Sequence, residues 1–384
     1  MLDWLIIGGG IHGTTISDFL VTRKGVARDR IRVLDPHAKP LALWKQFTAN
    51  IGMPYLRSPL VHHIHYDPWS ARTFAESQSG RPLAGFIPLY ERPSLAFFNG
   101  FSDLIIERYK LNDLRLQGRA TGLTRLENGW RVETGDGGLD AKRVILAMGA
   151  TEQPFYPAWT QSHGGTIQHI FDKDFDRENL PQNVTIIGGG ISAAQLTITL
   201  VESGHQVTLL SRHPLRMAHF DSDPCWVTRL CLADFYAEPD FNKRREMIKT
   251  ARNRGSMPPD VLERLEATAE TGNLSLQFGE VIATRTSDKK ITLQTADGHS
   301  LTTQQVVLAT GFTSDRPGGA WLDDAVVQYN FPVADDGYPI VDQSLCWSNG
   351  IYVTGALAEL EIGPVARNII GARLAAERIG EVAI

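Results

Sequence analysis

The stretch Trp4-Leu-Ile-Ile-Gly-Gly-Gly-Ile-His-Gly-Thr-Thr-Ile-Ser-Asp-Phe-Leu20 returns 180 residues later as Val184-Thr-Ile-Ile-Gly-Gly-Gly-Ile-Ser-Ala-Ala-Gln-Leu-Thr-Ile-Thr-Leu200. Each copy reads as a short apolar strand, a glycine turn and a helix. In the first copy Ile16, Phe19 and Leu20 share one helical face. The likeness continues downstream. Leu114-Arg115-Leu116-Gln117 matches Leu274-Ser275-Leu276-Gln277, and turn signals follow at Asn128-Gly129, Asp136-Gly137 and Asp297-Gly298. These spacings predict an antiparallel meander in each copy. Both copies close on an apolar strand ending in glycine, Gly149 in Val144–Gly149 and Gly311 in Val306–Gly311. A period this long is no solenoid, and it fits two fused dinucleotide-binding modules.

The expected architecture is α/β, with two Rossmann-like domains and the second inserted into the first. The first module takes residues 1–158 and 313–384, and the second takes 159–312. Linkers are expected near Pro154–Pro157 and Ser314–Gly318, where Pro and Gly cluster. A further strand, Ile351–Gly355, precedes a helical pattern over roughly 364–379. Two segments fall outside the repeat: 40–110, and a helical insertion at about 213–270 with helices predicted over 240–254 and 259–269.

The glycine turns carry the chemistry. Gly8-x-Gly10-x-x-Gly13 lets the chain turn tightly, lets a pyrophosphate approach the backbone, and lets helix and strand pack closely. The second strand should then end in an acid, and Ile31-Arg-Val-Leu-Asp35 supplies one to accept both ribose hydroxyls of an adenosine. The second copy reads Gly188-x-Gly190-x-x-Ala193, and its strand ends in Ser211-Arg212. A hydroxyl and a guanidinium suit a 2′-phosphate that an acid would repel, so this module is expected to take NADPH, with Arg216 as a possible second clamp. Hydride must then pass to an acceptor on the first module, and FAD is the usual acceptor in such a pair.

With these residues in place, the sequence resembles the flavin-dependent monooxygenases with two dinucleotide-binding domains. It is most similar to their N-hydroxylating branch, the lysine and ornithine N-monooxygenases. The marks are Leu43-Trp44-Lys45, Met53-x-x-Leu56-Arg57-Ser58-Pro59, Leu308-Ala-Thr-Gly-Phe312 and Gly355…Gly363. The resemblance implies that Gly8, Gly10, Gly13 and Asp35 hold the FAD adenosine diphosphate, that the Ala120 backbone touches adenine, and that Trp44 and Lys45 run beside the flavin. It also implies a helix after Gly363-Pro364 whose first amides, at Val365 and Ala366, face the flavin ring. The implied reaction is transfer of one oxygen atom from O2, through a flavin hydroperoxide, to a small amine or other nucleophile.

Several features depart from that pattern. Gly355-Ala356 stands where relatives carry Gly-Asp. Of a flavin-monooxygenase fingerprint, Gly165 and His169 are present, but His163 and Lys173 replace aromatics. Asp221-Ser-Asp-Pro-Cys-Trp-Val227 lacks the Asn of the N-hydroxylases, which argues against free lysine or ornithine as substrate. The mechanism needs no side-chain nucleophile, so Lys45, Arg57 and His62 are offered as catalytic candidates from position alone. An NADPH-dependent flavin reductase or oxidase is the alternative, and a non-catalytic flavin sensor is a third reading.

Other signals bound the answer. The 384 residues are 42% hydrophobic and carry a net charge of −5, which argues against nucleic-acid or anionic-membrane partners. The chain opens directly on a strand, so a cytoplasmic protein without signal peptide or membrane span is expected, with oligomerisation open. Of three cysteines, Cys225 and Cys231 are expected as reduced packing residues. No metal is expected at His62-His63-Ile64-His65, read as a loop in or near the flavin pocket, or at His219-x-Asp221-x-Asp223, where a capping or turn role is favoured. The Lys243–Arg254 cluster is expected to be a solvated helix face.

Overall fold

The Leu2–Ile7 strand is buried along its last four residues, and a strand so apolar needs partners on both edges and cover on both faces. It has both partners, pairing in parallel with Ile31–Asp35 on one side and Gly137–Leu146 on the other. Arg115–Gln117 extends the sheet beyond Ile31–Asp35, and Ile351–Val353 extends it beyond Gly137–Leu146. The structure is a computed structural model that describes residues 1–150, 152–160, 166–287 and 290–383.

The second sheet repeats the plan. Its order is Leu274–Phe278, Gln206–Ser211, Asn183–Ile187, Gln305–Leu308 and Ile167–His169, every neighbour parallel. All five strands fall between Leu146 and Ile351 in the chain, so the second sheet is threaded within the first. The α/β reading with two Rossmann-like sheets therefore holds. Both meanders form, one from Ala120–Leu126, Gly129–Thr134 and Gly137–Leu146 and the other from Val281–Ser287, Lys290–Thr295 and Ser300–Thr303. The matched segments at 114–117 and 274–277 are not part of them: each supplies the third parallel strand of its sheet.

Where the chain passes between the sheets, its two crossings run side by side. Pro154 and Phe312 form an antiparallel bridge, Phe155 N–H donates to Gly311 O at 2.9 Å, and Thr313 N–H donates to Gln153 O at 2.9 Å. Among the described residues no helix is long and apolar enough to cross a membrane.

Three expectations need correction. The last helix is Ile369–Gly380, and residues 364–367 form a turn ahead of it. Cys225 and Cys231 are joined as a disulfide with Cα atoms 5.4 Å apart, because a helical turn at Pro224–Val227 folds the six-residue gap back on itself. The third concerns the basic cluster. Arg244, Arg245 and Arg252, from the Phe241–Ala251 helix and its end, are 11%, 13% and 14% exposed, so they do not form a solvated face.

Instead they meet acids on the tail of the chain. Glu359 is 1% exposed and binds Arg367 through both oxygens, at 2.5 and 2.8 Å. It also accepts from Arg245 at 2.8 Å and from Arg252 at 3.1 Å. Asp336 and Asp221 balance the outer sides of Arg245 and Arg252. Burial pushes the Glu359 carboxyl upward, but Arg367, Arg252 and Arg245 outweigh it and hold the group below its ordinary range.

Replacing this carboxylate leaves three buried guanidiniums without their shared partner. Glu359→Gln should therefore cost about 3–5 kcal/mol in urea unfolding. A lowered folded pKa gives stability that is full above the ordinary value near 4.5 and is lost as pH falls through the folded value. The gap between wild type and Glu359→Gln should accordingly narrow on acidification below about pH 4.5.

Candidate functional site

The first glycine turn shows which of its glycines the fold requires. Gly8 has φ +108°, and a Cβ there would strike the Ala147 carbonyl. A Cβ on Gly13 would overlap the Gly8 carbonyl, so the Ile11–Asp18 helix can lie this close to its strand only with glycine at that position. Gly10 is different, because a Cβ there meets nothing within 4 Å. That open space lies at the helix N-terminus, whose N-cap, Gly10, offers no side-chain acceptor. Uncapped first-turn amides beside open space favour an anion there.

Asp35 closes the adjoining edge. Its Oδ2 accepts the Gly9 N–H at 2.5 Å, and its Oδ1 accepts the His37 N–H at 2.8 Å and Arg115 Nη2 at 3.2 Å. Three of its roughly four lone-pair positions are thus filled by the protein, which leaves room for about one further donor. Arg115 escaped the sequence reading. Its signal was a charge inside the apolar run Leu114-Arg115-Leu116.

The other residues proposed for this site surround the same end of the sheet. Ala120 is buried at a β-bulge, and Gly149 is exposed just past its strand. Gly355, at φ +64°, lies beside the His12 ring. His12 Nδ1 is 2.8 Å from Thr354 Oγ1, and burial lowers its imidazole to about 4. Val365 and Ala366 are buried in the turn before the last helix, and the Ala366 N–H donates to Gly363 O. It is therefore not free to face a ligand, and the expected pair narrows to Val365.

The proposed catalytic side chains do not converge. Lys45 pairs with Asp103 at 2.5 Å, and Trp44 Nε1 donates to Asn99 Oδ1 at 3.0 Å, which ties the Ala42–Asn50 helix to Leu95–Arg108. Arg57 donates to the carbonyls of Ala218, His219 and Phe220 and to Ser256 Oγ, all at 2.6–3.1 Å. It straps the first module's loop to the 213–270 segment, which is the physical reason it is a poor carboxylate clamp. His62 is lowered to about 4 by burial and then by the charge of Arg373, so it is neutral at pH 7. Of the half fingerprint, His163 and Gly165 lie outside the described residues. His169 is fully buried and is lowered to about 4, chiefly by burial. Asp223 caps the Pro224–Val227 turn by accepting the Cys225 N–H at 2.8 Å, and Asp221 pairs with Arg252.

The second turn copies the first in geometry and differs in chemistry. Gly188 would strike Ala309 O if it bore a Cβ, Ala193 is buried, and a Cβ added at Gly190 would lie 3.5 Å from the Cα of Gly255. Ser211 takes the place of Asp35: its side chain packs against Gly189, and its Oγ donates to His213 O at 2.7 Å. Arg212 and Arg216 are exposed beside it. Gly311, at φ +81°, opens on space at the end of its strand.

Residues 101–233 match the pyridine nucleotide-disulphide oxidoreductase family. No protein of curated function matches the sequence. The reduced ornithine hydroxylase of Pseudomonas aeruginosa superposes with a TM-score of 0.78 at 15% identity, covering 100% of this chain and 98% of that one. The FAD-bound cadaverine monooxygenase of the desferrioxamine pathway of Erwinia amylovora gives 0.77 at 16% identity, covering 100% and 95%. The ornithine N-hydroxylase of Kutzneria sp. 744 gives 0.76 at 13%, covering 100% and 99%. At these identities the likeness is one of fold. At that level the resemblance to N-hydroxylating flavoproteins holds.

The two glycines of the first turn should separate on substitution. Gly10→Ala places a methyl in open space at an ordinary φ of −74° and should leave the melting temperature nearly unchanged. Gly13→Ala gains helix propensity but drives Cβ into a carbonyl. It should lose about 1–3 kcal/mol or more in denaturant unfolding.

Proposed function

We propose that the chain is an FAD-containing, NADPH-dependent monooxygenase that transfers one oxygen atom from O2 to a small amine. The observation that carries this reading is the pair of glycine turns, alike in backbone and opposite in charge at the strand end. The first offers an open cradle at Gly10, uncapped amides and Asp35, which suits the diphosphate and adenosine of FAD. The second offers the buried Ser211 hydroxyl and the exposed Arg212, which suits a 2′-phosphate. In this assignment residues 1–158 and 313–384 form the FAD module, and 159–312 form the NADPH module.

Bound and reduced, the flavin supplies O2 activation and oxygen delivery to a nucleophile. The chain's own residues position and shield. Trp226, Leu232 and Phe235 pack on Gly363 and cover the turn that leads to Val365 with apolar surface. This keeps water from that edge. NADPH is an intracellular reductant, so the proposed reaction belongs in the cytoplasm.

The substrate is proposed to be an amine without an α-carboxylate. Binding an amino acid requires partners for both charges, and Arg57, the cation first in line for a carboxylate, already donates to three carbonyls and a serine. Among structures of this fold, one is a cadaverine monooxygenase, and cadaverine is a diamine with no carboxylate.

Two experiments test this reading. Purified protein should release FAD on denaturation and be reduced faster by NADPH than by NADH. Arg212→Ala should shrink that preference about ten- to a hundredfold, the worth of one charge-assisted contact. Equal rates with both nucleotides in the wild type would show the second site misassigned. NADPH consumption, hydroxylamine and peroxide should also be measured across diamines, monoamines, lysine and ornithine. Coupled hydroxylation is expected with carboxylate-free amines and weak stimulation with the two amino acids. Peroxide as the sole product throughout would favour an NADPH oxidase.

A further inference from the structure

Arg115 is a buried cation beside the first glycine turn, and part of it has no partner among the described residues. Its side chain is 7% exposed. Nη2 donates to Asp35 Oδ1 and to the His37 carbonyl. Nη1 and Nε are buried and have no hydrogen-bond partner among the described residues. The guanidinium lies directly against Gly9, where an added Cβ would collide with Nη1. A side chain at this position would have to displace the guanidinium.

A buried guanidinium with idle N–H groups is costly unless a ligand completes it. The neighbouring carboxylate indicates which ligand. Asp35 accepts from Gly9, His37 and Arg115, which leaves room for about one further hydroxyl. An adenosine ribose presents two. A hydroxyl can accept as well as donate, so the second hydroxyl can be bound by a donor. The second module has no such arrangement: its third strand, Leu274–Phe278, carries no cation, and Ser211 stands in place of the acid.

We propose that Arg115 is a binding residue for the adenosine ribose of the cofactor at the first site. Asp35 accepts from one ribose hydroxyl, and the free N–H groups of Arg115 donate to the oxygen of the other. This rests on the first site being the FAD site, and the test separates the two claims.

Apo-protein is titrated with FAD and followed by flavin fluorescence. FAD is then displaced with ADP, 2′-deoxy-ADP or 3′-deoxy-ADP, so that binding at the second turn is silent. Wild type should bind FAD and prefer ADP to at least one deoxy analogue by about tenfold. Arg115→Met should weaken FAD about ten- to a hundredfold and bring ADP and both analogues within roughly twofold of each other. A merely structural role would lower affinity without erasing that discrimination. Should Arg115→Met fail to fold with Asp35 unpaired, Asp35→Asn is compared with Asp35→Asn/Arg115→Met, a neutral site. Discrimination must then survive in the first and vanish in the second. Failure of wild type to bind FAD overturns the cofactor assignment itself. FAD binding with equal discrimination whether or not Arg115 is present overturns the role of Arg115 alone.

Discussion

The Glu359 carboxylate is the point at which the tail of the first module and the insertion of the second are joined. It gathers Arg367 from its own segment and Arg245 and Arg252 from the insertion, with Tyr338 stacked on Arg245 at 4.2 Å. Removing four such charges from water is expensive, and hydrophobic replacements of equal shape often do as well. What the cluster adds is geometry. A guanidinium–carboxylate fork accepts a narrow range of approach, so the Phe241–Ala251 helix is held at one angle to the turn at 355–368. Arg57 adds a second strap on the other side of the insertion, from the 53–59 loop to residues 218–220.

Given that frame, the two nucleotide turns are one skeleton with different fittings. Both need a glycine whose Cβ would strike the carbonyl just past a neighbouring strand, Gly8 that of Ala147 after Gly137–Leu146 and Gly188 that of Ala309 after Gln305–Leu308. Both place the last residue of the second strand against the glycine that follows, Asp35 against Gly9 and Ser211 against Gly189. The difference lies in what surrounds that residue. The first is buried between backbone amides and Arg115, while the second has exposed arginines outside it.

The duplication, the parallel sheets and the steric need for Gly8 and Gly13 were legible in the sequence because they depend on local sterics and on periodicity. Contacts that join distant segments were not. The Lys243–Arg254 run looked like a solvated face because its acids, Glu359, Glu361 and Asp336, lie about a hundred residues away in the chain. Arg57 and Lys45 looked available because a backbone carbonyl or an acid on another helix leaves no sequence mark beside its partner. The Cys225–Cys231 pair was misread for another reason: a spacing of six says nothing until the turn at Pro224–Val227 is known. The start of the last helix was placed about five residues early because Pro364 is as compatible with a turn as with a first helical position.

The paired crossings at Pro154 and Phe312 have a consequence for how such a chain can be rearranged. Phe155 and Gly311 are hydrogen-bonded neighbours, so everything between them leaves and returns through a doorway one strand-pair wide. The first sheet therefore experiences the intervening module as if it were a hairpin loop. The entropy of closing a loop grows only logarithmically with its length. Cutting the module out at that doorway would spare the register of the flanking strands but would strip Glu359 of Arg245 and Arg252 and Arg57 of its carbonyl acceptors, so an exchanged module must bring equivalent partners.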